Sequence, residues 1–512
     1  MIIKRLLNLF SIARSAHKVR RSSSEKERFL AQQALARVMA DTRGISMKIG
    51  QLFSELNGSS AFQELVEGVE PFPLKQMLPI LEQDLRVPVK KVFRSIDKTG
   101  FAASLGQVHL AILQSGEKVA VKIRYPGIDK AIETELTLAG LLPGMGPVKQ
   151  WGFDLEAYKV SLTNNMLREL DYRSEAERQI NFSRHVFVDG LNIPTVYEQL
   201  SSQRVLVQSR ASGRLIHQII DWPKTDRKRI GKILLTTLFK SLFITGEVHG
   251  DPHAGNVFYD YDDLGNPVVS LLDYGCTITI AEDRRLALLK LIVACRLKQS
   301  VSPMDCFAAI GFDVNKLGHI EGALILLSQY LFEPFLIAKP LKPSDWQLEK
   351  NITELLGEKR WWFRSAGPAD LFLLMRAFQG LLSQLDYLQV RLDWWDVLHE
   401  ALGNSLIEQA VDYELTKIHS GLVKNNIHFS DQAEKLCVEV TDKGKKTVAV
   451  TLPAEAVLEI EQLMPSEVSV LIAESNTVDL QGILDGIRRD GIMPQSLFEL
   501  YNEGKCYKVW LE

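Results

Sequence analysis

The chain has 512 residues and a mass of 57.7 kDa, with 46% hydrophobic and 24% charged residues. That composition excludes a disordered or collagen-like chain, and the length suits about two to four domains, since one core rarely grows past about 250–300 residues. With 60 basic against 63 acidic residues the net charge is −3, so no whole-molecule attraction for nucleic acid is expected.

Residues 2–21 place Ile2, Leu6, Leu9, Phe10 and Ala13 at helical spacing, with Lys4, Arg5, Arg14, Lys18, Arg20 and Arg21 between them. This is a basic amphipathic helix, which suits docking on its own protein, contact with a lipid or membrane surface, or an organellar transit peptide. Lys4 and Arg5 interrupt the apolar region and argue against a secretory signal. The helical pattern continues from Ser24 to Glu55, broken at Asp41–Gly44, and Pro71, Pro73 and Pro79 cut the next stretch into short pieces. From Phe101 the period changes to two: Gln107–Ile112 alternates, Gln114–Glu117 turns, and Val119–Ile123 is rich in β-branched residues. Helices are expected over about 130–185, strands at Thr195–Tyr197 and Arg204–Val207, and helix again over 225–246. Residues 247–280 hold turns and short strands, and 282–412 read as helix, with Trp361, Trp362, Trp394 and Trp395 as core anchors. After Asn425, Leu436–Thr441 and Thr447–Leu452 alternate around the turn Asp442–Lys445. Helices near 454–464 and 478–488 and a last strand at Tyr507–Leu511 complete a small module. No apolar run reaches the ~18 residues of a membrane helix, and Cys276, Cys295, Cys306, Cys437 and Cys506 form no C-x-x-C pair, so a reduced, cytoplasmic protein is expected.

The chemistry-bearing residues sit in those turns. Asp251 and Asn256 stand five positions apart in His249-Gly250-Asp251-Pro252-His253-Ala254-Gly255-Asn256, followed by Asp273-Tyr274-Gly275. Phosphoryl transfer needs a cation on the phosphates, oxygens that hold a metal, and a loop over the nucleotide. Lys122, ending Val119-Ala120-Val121-Lys122, is the candidate cation, and Glu175 its candidate ion-pair partner. Asp251 would orient the nucleophile, while Asn256 and Asp273 offer the hard oxygens that Mg²⁺ prefers. No G-x-G-x-x-G precedes Lys122. In its place stands Phe101 followed by Ala102-Ala103-Ser104-Leu105-Gly106-Gln107, whose alanines put Cβ atoms where glycines would let backbone lie on phosphates, so nucleotide binding is expected to be altered. His249, Asp251 and His253 as a metal cluster is the weaker reading of the same turn.

Lys48-Ile49-Gly50-Gln51 (K-x-G-Q), the alanine loop Ala102–Gln107, Val119–Lys122, Glu169-Leu170-Asp171, His249–Asn256 and Asp273-Tyr274-Gly275, in that order, resemble the UbiB/AarF family of atypical kinases over about residues 24–400. The resemblance implies an α+β, two-lobed protein-kinase-like fold with a helical N-terminal extension and a small C-terminal α+β module. The expected domains are that extension (1–95), an N-lobe (96–215), a mostly helical C-lobe (216–415) and the module (426–512). It implies that Lys48 of the extension pairs Glu169 over the active site, with Gly50, Gln51 and Asp171 as regulatory neighbours, and that Lys122 pairs Glu175. It further implies Mg²⁺ and ATP, or another nucleotide, as cofactors of an ATPase or small-molecule kinase supporting isoprenoid quinone or other lipid metabolism. A protein kinase and a nucleotide-binding scaffold with little catalysis are the alternatives. Ser209, where an acidic residue is common, leaves nucleotide preference open, and residues 426–512 are expected to pack, oligomerise or bind a protein partner.

Overall fold

A computed structural model describes residues 71–512 apart from 104, 130–151, 154–159, 161–162, 165–166, 419–426, 476–477 and 503. The basic helix at 2–21, Lys48, Gly50, Gln51 and Ser104 lie outside the described residues. The chain divides into two compact units, one holding residues 154–279 and 369–390 with the N-terminal part, the other residues 280–368 and 391–512.

The first unit begins with helix α1 (Leu74–Leu85), which packs against an antiparallel sheet of order β1-β3-β4-β6, with β2 paired to β3. These strands are β1 (Phe93–Ile96), β2 (Phe101–Ala102), β3 (Gly106–Leu113), β4 (Lys118–Arg124) and β6 (Val205–Ser209). The two-residue period of β4 sends Val119, Val121 and Ile123, all fully buried, toward Met77 and Leu81 of α1. Full burial of each such side chain stabilises by about 1.5–3 kcal/mol. The same period turns Lys122 to the opposite face, where Tyr172, Ala176 and Leu206 form a smaller apolar cluster. Helix α2 (Tyr172–His185) lies there, its start fixed by Asp171, whose side chain accepts from the amide of Arg173 at 3.0 Å. Val196 makes only a single bridge to Gln208 where a strand was expected, directly after Pro194, which has no amide to give a ladder.

Helix α3 (Lys224–Phe239) runs into a π-helical turn at Lys240–Thr245 and ends at Gly246. Two short antiparallel pairs follow. Strand β7 (Glu247–His249) pairs β10 (Thr277–Thr279), and β8 (Val257–Tyr261) pairs β9 (Pro267–Leu271), which also takes β5 (Leu191–Asn192) in parallel. Nested in this way, they bring the β7–β8 turn and the β9–β10 turn to one place. Helix α4 (Leu371–Tyr387) completes the unit.

The second unit contains the helices Glu282–Leu297, Pro303–Ile310, Leu324–Leu336 and Trp394–Asp412. Trp394 is fully buried there, edge-on to Phe335, whereas Trp361, Trp362 and Trp395 are half-buried. Its C-terminal module is an antiparallel sheet of order β12-β11-β14-β13, from β11 (Lys435–Asp442), β12 (Lys445–Pro453), β13 (Gln495–Asn502) and β14 (Lys505–Leu511). The expected hairpin is present, with Lys443 and Gly444 both left-handed at φ 48° and 80°. Helices Ser466–Ser475 and Leu480–Asp490 contribute Val468, Ile472, Leu484 and Ile487 to a core that also takes Leu326. All five cysteines are free thiols, four of them buried.

Leu484 is 2% exposed at the centre of that core. Leu484→Ala is expected to cost about 2–5 kcal/mol of local stability, seen as faster amide exchange in β11 and β14 with the amides of β3 and β4 unchanged.

Candidate functional site

Lys122 reaches Glu175 on α2 with Nζ 2.8 and 3.0 Å from the two carboxylate oxygens, and Asp273 with Nζ 3.2 Å from Oδ1. The Glu175 side chain is 2% exposed and that of Lys122 13%. The Tyr172 ring centroid lies 5.0 Å from the ammonium, adding a cation–π contact. Burial by itself would lower the Lys122 ammonium, but Asp273 and then Glu175 outweigh it and hold it well above the usual lysine range. Burial pushes the Glu175 carboxyl up to about 7 against the pull of Lys122, and the Asp273 charge adds to the rise. One desolvated cation is thus shared by two carboxylates.

Helix α2 holds more than Lys122. One turn after Glu175, Arg178 donates from Nε and Nη2 to the carbonyls of Tyr274 and Gly275, each at 3.1 Å. These bonds tie the helix to the turn that presents Asp273, whose own φ is 60° and whose Oδ1 accepts from the Gly275 amide at 3.1 Å. Sequence reasoning did not single out Arg178. Its signal was the i, i+3 spacing from Glu175, which puts both on one helix face.

The facing turn is equally fixed. The Asn256 side chain donates to the Asp251 carbonyl at 3.0 Å, and the Asn256 carbonyl accepts from the Leu272 amide at 2.8 Å. Asn256 therefore stands beside the strand end that carries Asp273, and the amide nitrogen is the side-chain atom turned into the protein. An amide oxygen and a partly exposed carboxylate (Asp273 side chain 37% exposed) fit Mg²⁺, a hard ion that keeps waters and phosphate oxygens in its shell. His249 is buried, with Nε2 2.9 Å from the Leu272 carbonyl and Nδ1 accepting from the Asp251 amide at 3.3 Å. The proton therefore sits on Nε2, and burial lowers the imidazole below its ordinary value. His253 accepts from the Gly255 amide at 3.0 Å. Among the described residues no group of three or more His, Cys, Asp or Glu side chains gathers to hold a metal. Asp251 is 6% exposed and paired at 2.6 Å with Arg376 of α4, a residue no motif indicated.

In the alanine loop, Ala102 pairs Gln107 across β2 and β3, and the Ala103 amide donates to the Gly106 carbonyl at 2.8 Å. Leu105 is buried in the sheet's core, and Gln107 is fully buried, exchanging two 2.8 Å bonds with the Phe72 backbone and lying 2.7 Å from His109. Both side chains thus face the lobe's interior. Gly106 has no room for a Cβ, which would fall 2.4 Å from the Ile123 carbonyl and 2.5 Å from the Tyr172 hydroxyl. Phe101 is 63% exposed. Glu169 is buried, and its Cγ lies 3.6 Å from where a Cβ on Gly275 would be. Ser209 accepts from the Thr195 amide at 2.9 Å.

Residues 64–302 match the ABC1 atypical kinase-like domain. An uncharacterised Synechocystis protein is 28% identical over 287 residues, 51% of this chain and 69% of that protein. A mitochondrial atypical kinase of Caenorhabditis elegans is 27% identical over 266 residues, 49% of this chain and 35% of that kinase. The mitochondrial atypical kinase COQ8B of Rattus norvegicus is 29% identical over 254 residues, 48% of each. The chain therefore spans less than half the length of either kinase. Among solved structures, Rv3197 of Mycobacterium tuberculosis, in its erythromycin complex, superposes with a TM-score of 0.51 at 25% identity, covering 71% of this chain and 94% of that one. The fold is accordingly α+β and protein-kinase-like.

Because the folded state holds His249 neutral while the unfolded chain protonates near 6.5, stability is fully present above that pH and is lost as pH falls below it. His249→Gln, which keeps a donor for the Leu272 carbonyl, is expected to flatten that part of the acid slope, as measured by urea unfolding between about pH 5 and 8. Gly106→Ala is expected to weaken nucleotide binding at least about tenfold, because a Cβ there must displace the backbone that shapes the loop, and titration with a fluorescent nucleotide checks it.

Proposed function

We propose that this chain, which belongs to the ABC1 atypical kinase-like family through residues 64–302, binds Mg²⁺ and ATP and works as an atypical phosphotransferase or ATPase. The observation that carries the reading is the ammonium of Lys122 held between Glu175 and Asp273, beside a turn bearing Asn256 and Asp251. Phosphoryl transfer requires that set: a cation for the phosphates, oxygens for the metal and a carboxylate for the acceptor. When bound, Mg²⁺ would be held by Asn256 and Asp273 and would neutralise charge on the phosphates. Lys122 would then exchange its contact with Asp273 for phosphate oxygens while Glu175 keeps its ammonium in place. Arg178 fixes the Asp273 turn, and Asp251 orients the accepting group.

The acceptor we assign is a small molecule or lipid in isoprenoid quinone or other lipid metabolism, not a general protein substrate. Support comes from the K-x-G-Q and alanine-loop resemblance and from the basic amphipathic pattern at residues 2–21, which suits peripheral contact of a cytoplasmic protein with a membrane. No helix among the described residues is long and apolar enough to cross a membrane. Residues 96–215 and 216–415 would serve as the two lobes and 426–512 as a packing or protein-binding module. A nucleotide-binding scaffold is the second reading, favoured by the burial of Asp251 in an ion pair.

The test is ATP turnover by the full chain with and without anionic vesicles and quinone-precursor mimics. Wild-type protein is expected to hydrolyse or transfer phosphate only with Mg²⁺. Asp273→Asn should cut turnover by at least about 10²-fold, the scale of removing one preorganised charge-stabilising group. Turnover undiminished in Asp273→Asn overturns the reading, and nucleotide binding without turnover selects the scaffold.

A further inference from the structure

Helix α4 places Arg376, Gly380 and Gln384 at every fourth position, one stripe along its surface. Each meets the turn that carries the candidate acceptor-orienting residue. Arg376 Nη2 lies 2.6 Å from Asp251 Oδ1, with both side chains under 10% exposed (6% and 9%). Gly380 lies against Pro252, where a Cβ would meet the ring and the carbonyl at 3.4 Å, an ordinary van der Waals contact. Gln384, 2% exposed, donates to the Pro252 carbonyl and accepts from the Tyr259 hydroxyl. The turn between Asp251 and Asn256 contains no Lys or Arg of its own, and a carboxylate this buried is costly without a compensating cation. The compensating charge arrives from 125 residues away, beyond residue 302, where the family match ends.

We propose that Arg376 is a positioning residue for the phosphoryl-transfer site: it orients the Asp251 carboxylate toward the acceptor and offsets its charge against the incoming phosphates, with Gln384 tying the turn to the same helix. The inference rests on the nucleotide reading above. It differs from a purely architectural role because Arg376 acts through Asp251. Its loss therefore strikes the chemical step and leaves the affinity for nucleotide, set around Lys122, in place.

The experiment compares full-length wild type, Arg376→Met, Arg376→Lys, Asp251→Asn and the double variant D251N/R376M for binding and turnover of Mg·ATP. Arg376→Met is expected to lower kcat on the order of 10²-fold, the cost of a small misplacement, with KM and nucleotide affinity held within about threefold, the pattern of an interaction made only in the transition state. Arg376→Lys, which keeps the charge, should recover about tenfold of that loss. A kcat for Arg376→Met within about threefold of wild type, or a raised KM at unchanged kcat, overturns the proposal. If Arg376→Met does not fold, the double variant, which leaves no buried carboxylate unpaired, decides. Residual turnover equal to that of Asp251→Asn supports action through Asp251, and a further drop of more than about tenfold overturns it. Wild-type protein that neither binds nor turns over Mg·ATP sinks the nucleotide reading itself, whereas active wild type with equally active Arg376→Met sinks only this one.

Discussion

A single buried ammonium sets the electrostatics of the first unit. Lys122 faces two carboxylates, Glu175 and Asp273, at 2.8 and 3.2 Å; Lys122 and Glu175 are largely removed from water and are stable only as a pair, whereas the Asp273 side chain is 37% exposed. Two carboxylates thus meet one ammonium, and Asp273 is the more exposed of them. Arg178 holds α2 independently of that lysine, since its two bonds to the Tyr274 and Gly275 carbonyls keep the helix on the turn that carries Asp273.

The backbone around this charge cluster is overdetermined. The pairs β7–β10 and β8–β9 nest so that His249 opposes Thr277 and Val257 opposes Leu271. His249 then bridges the two turns from within, joining the Asp251 amide to the Leu272 carbonyl. Positioning is the main thing a protein contributes to phosphoryl transfer. Here that rigidity comes from short strands whose ladders are supplemented by buried side chains, with Asn256 held at both its amide and its carbonyl.

The pattern of β4 was legible because period two is a local property: Val119, Val121 and Ile123 inward and Lys122 outward can be read from seven residues. The hairpin at Lys443-Gly444 was legible for the same reason. Strand β13 was not, because a bulge between Ser496 and Phe498 lets both Leu497 and Phe498 be buried, which hides the alternation. Helix Ser466–Ser475 is rich in β-branched and small residues, a composition that local propensity leaves ambiguous. Within the site, Lys122, Asp251, Asn256 and Asp273 stood out through their motifs, and Glu175 as the helix carboxylate expected to pair Lys122. Arg178, Arg376 and Gln384 did not, since their partners are backbone carbonyls or residues more than a hundred positions away. The side chains of Leu105 and Gln107 turn inward, which the loop's composition alone could not reveal, because direction depends on the register with β3.

The return of residues 369–390 to the first unit has a consequence for how the protein is made. The turn bearing Asp251 is synthesised more than a hundred residues before Arg376 and Gln384, and all of 280–368 must emerge in between. A nascent chain that has just finished β10 already contains Lys122, Asn256, Asp273 and the candidate orienting carboxylate, yet lacks the cation and the amide that hold that carboxylate's turn. The support of that carboxylate is thereby completed only once most of the chain exists.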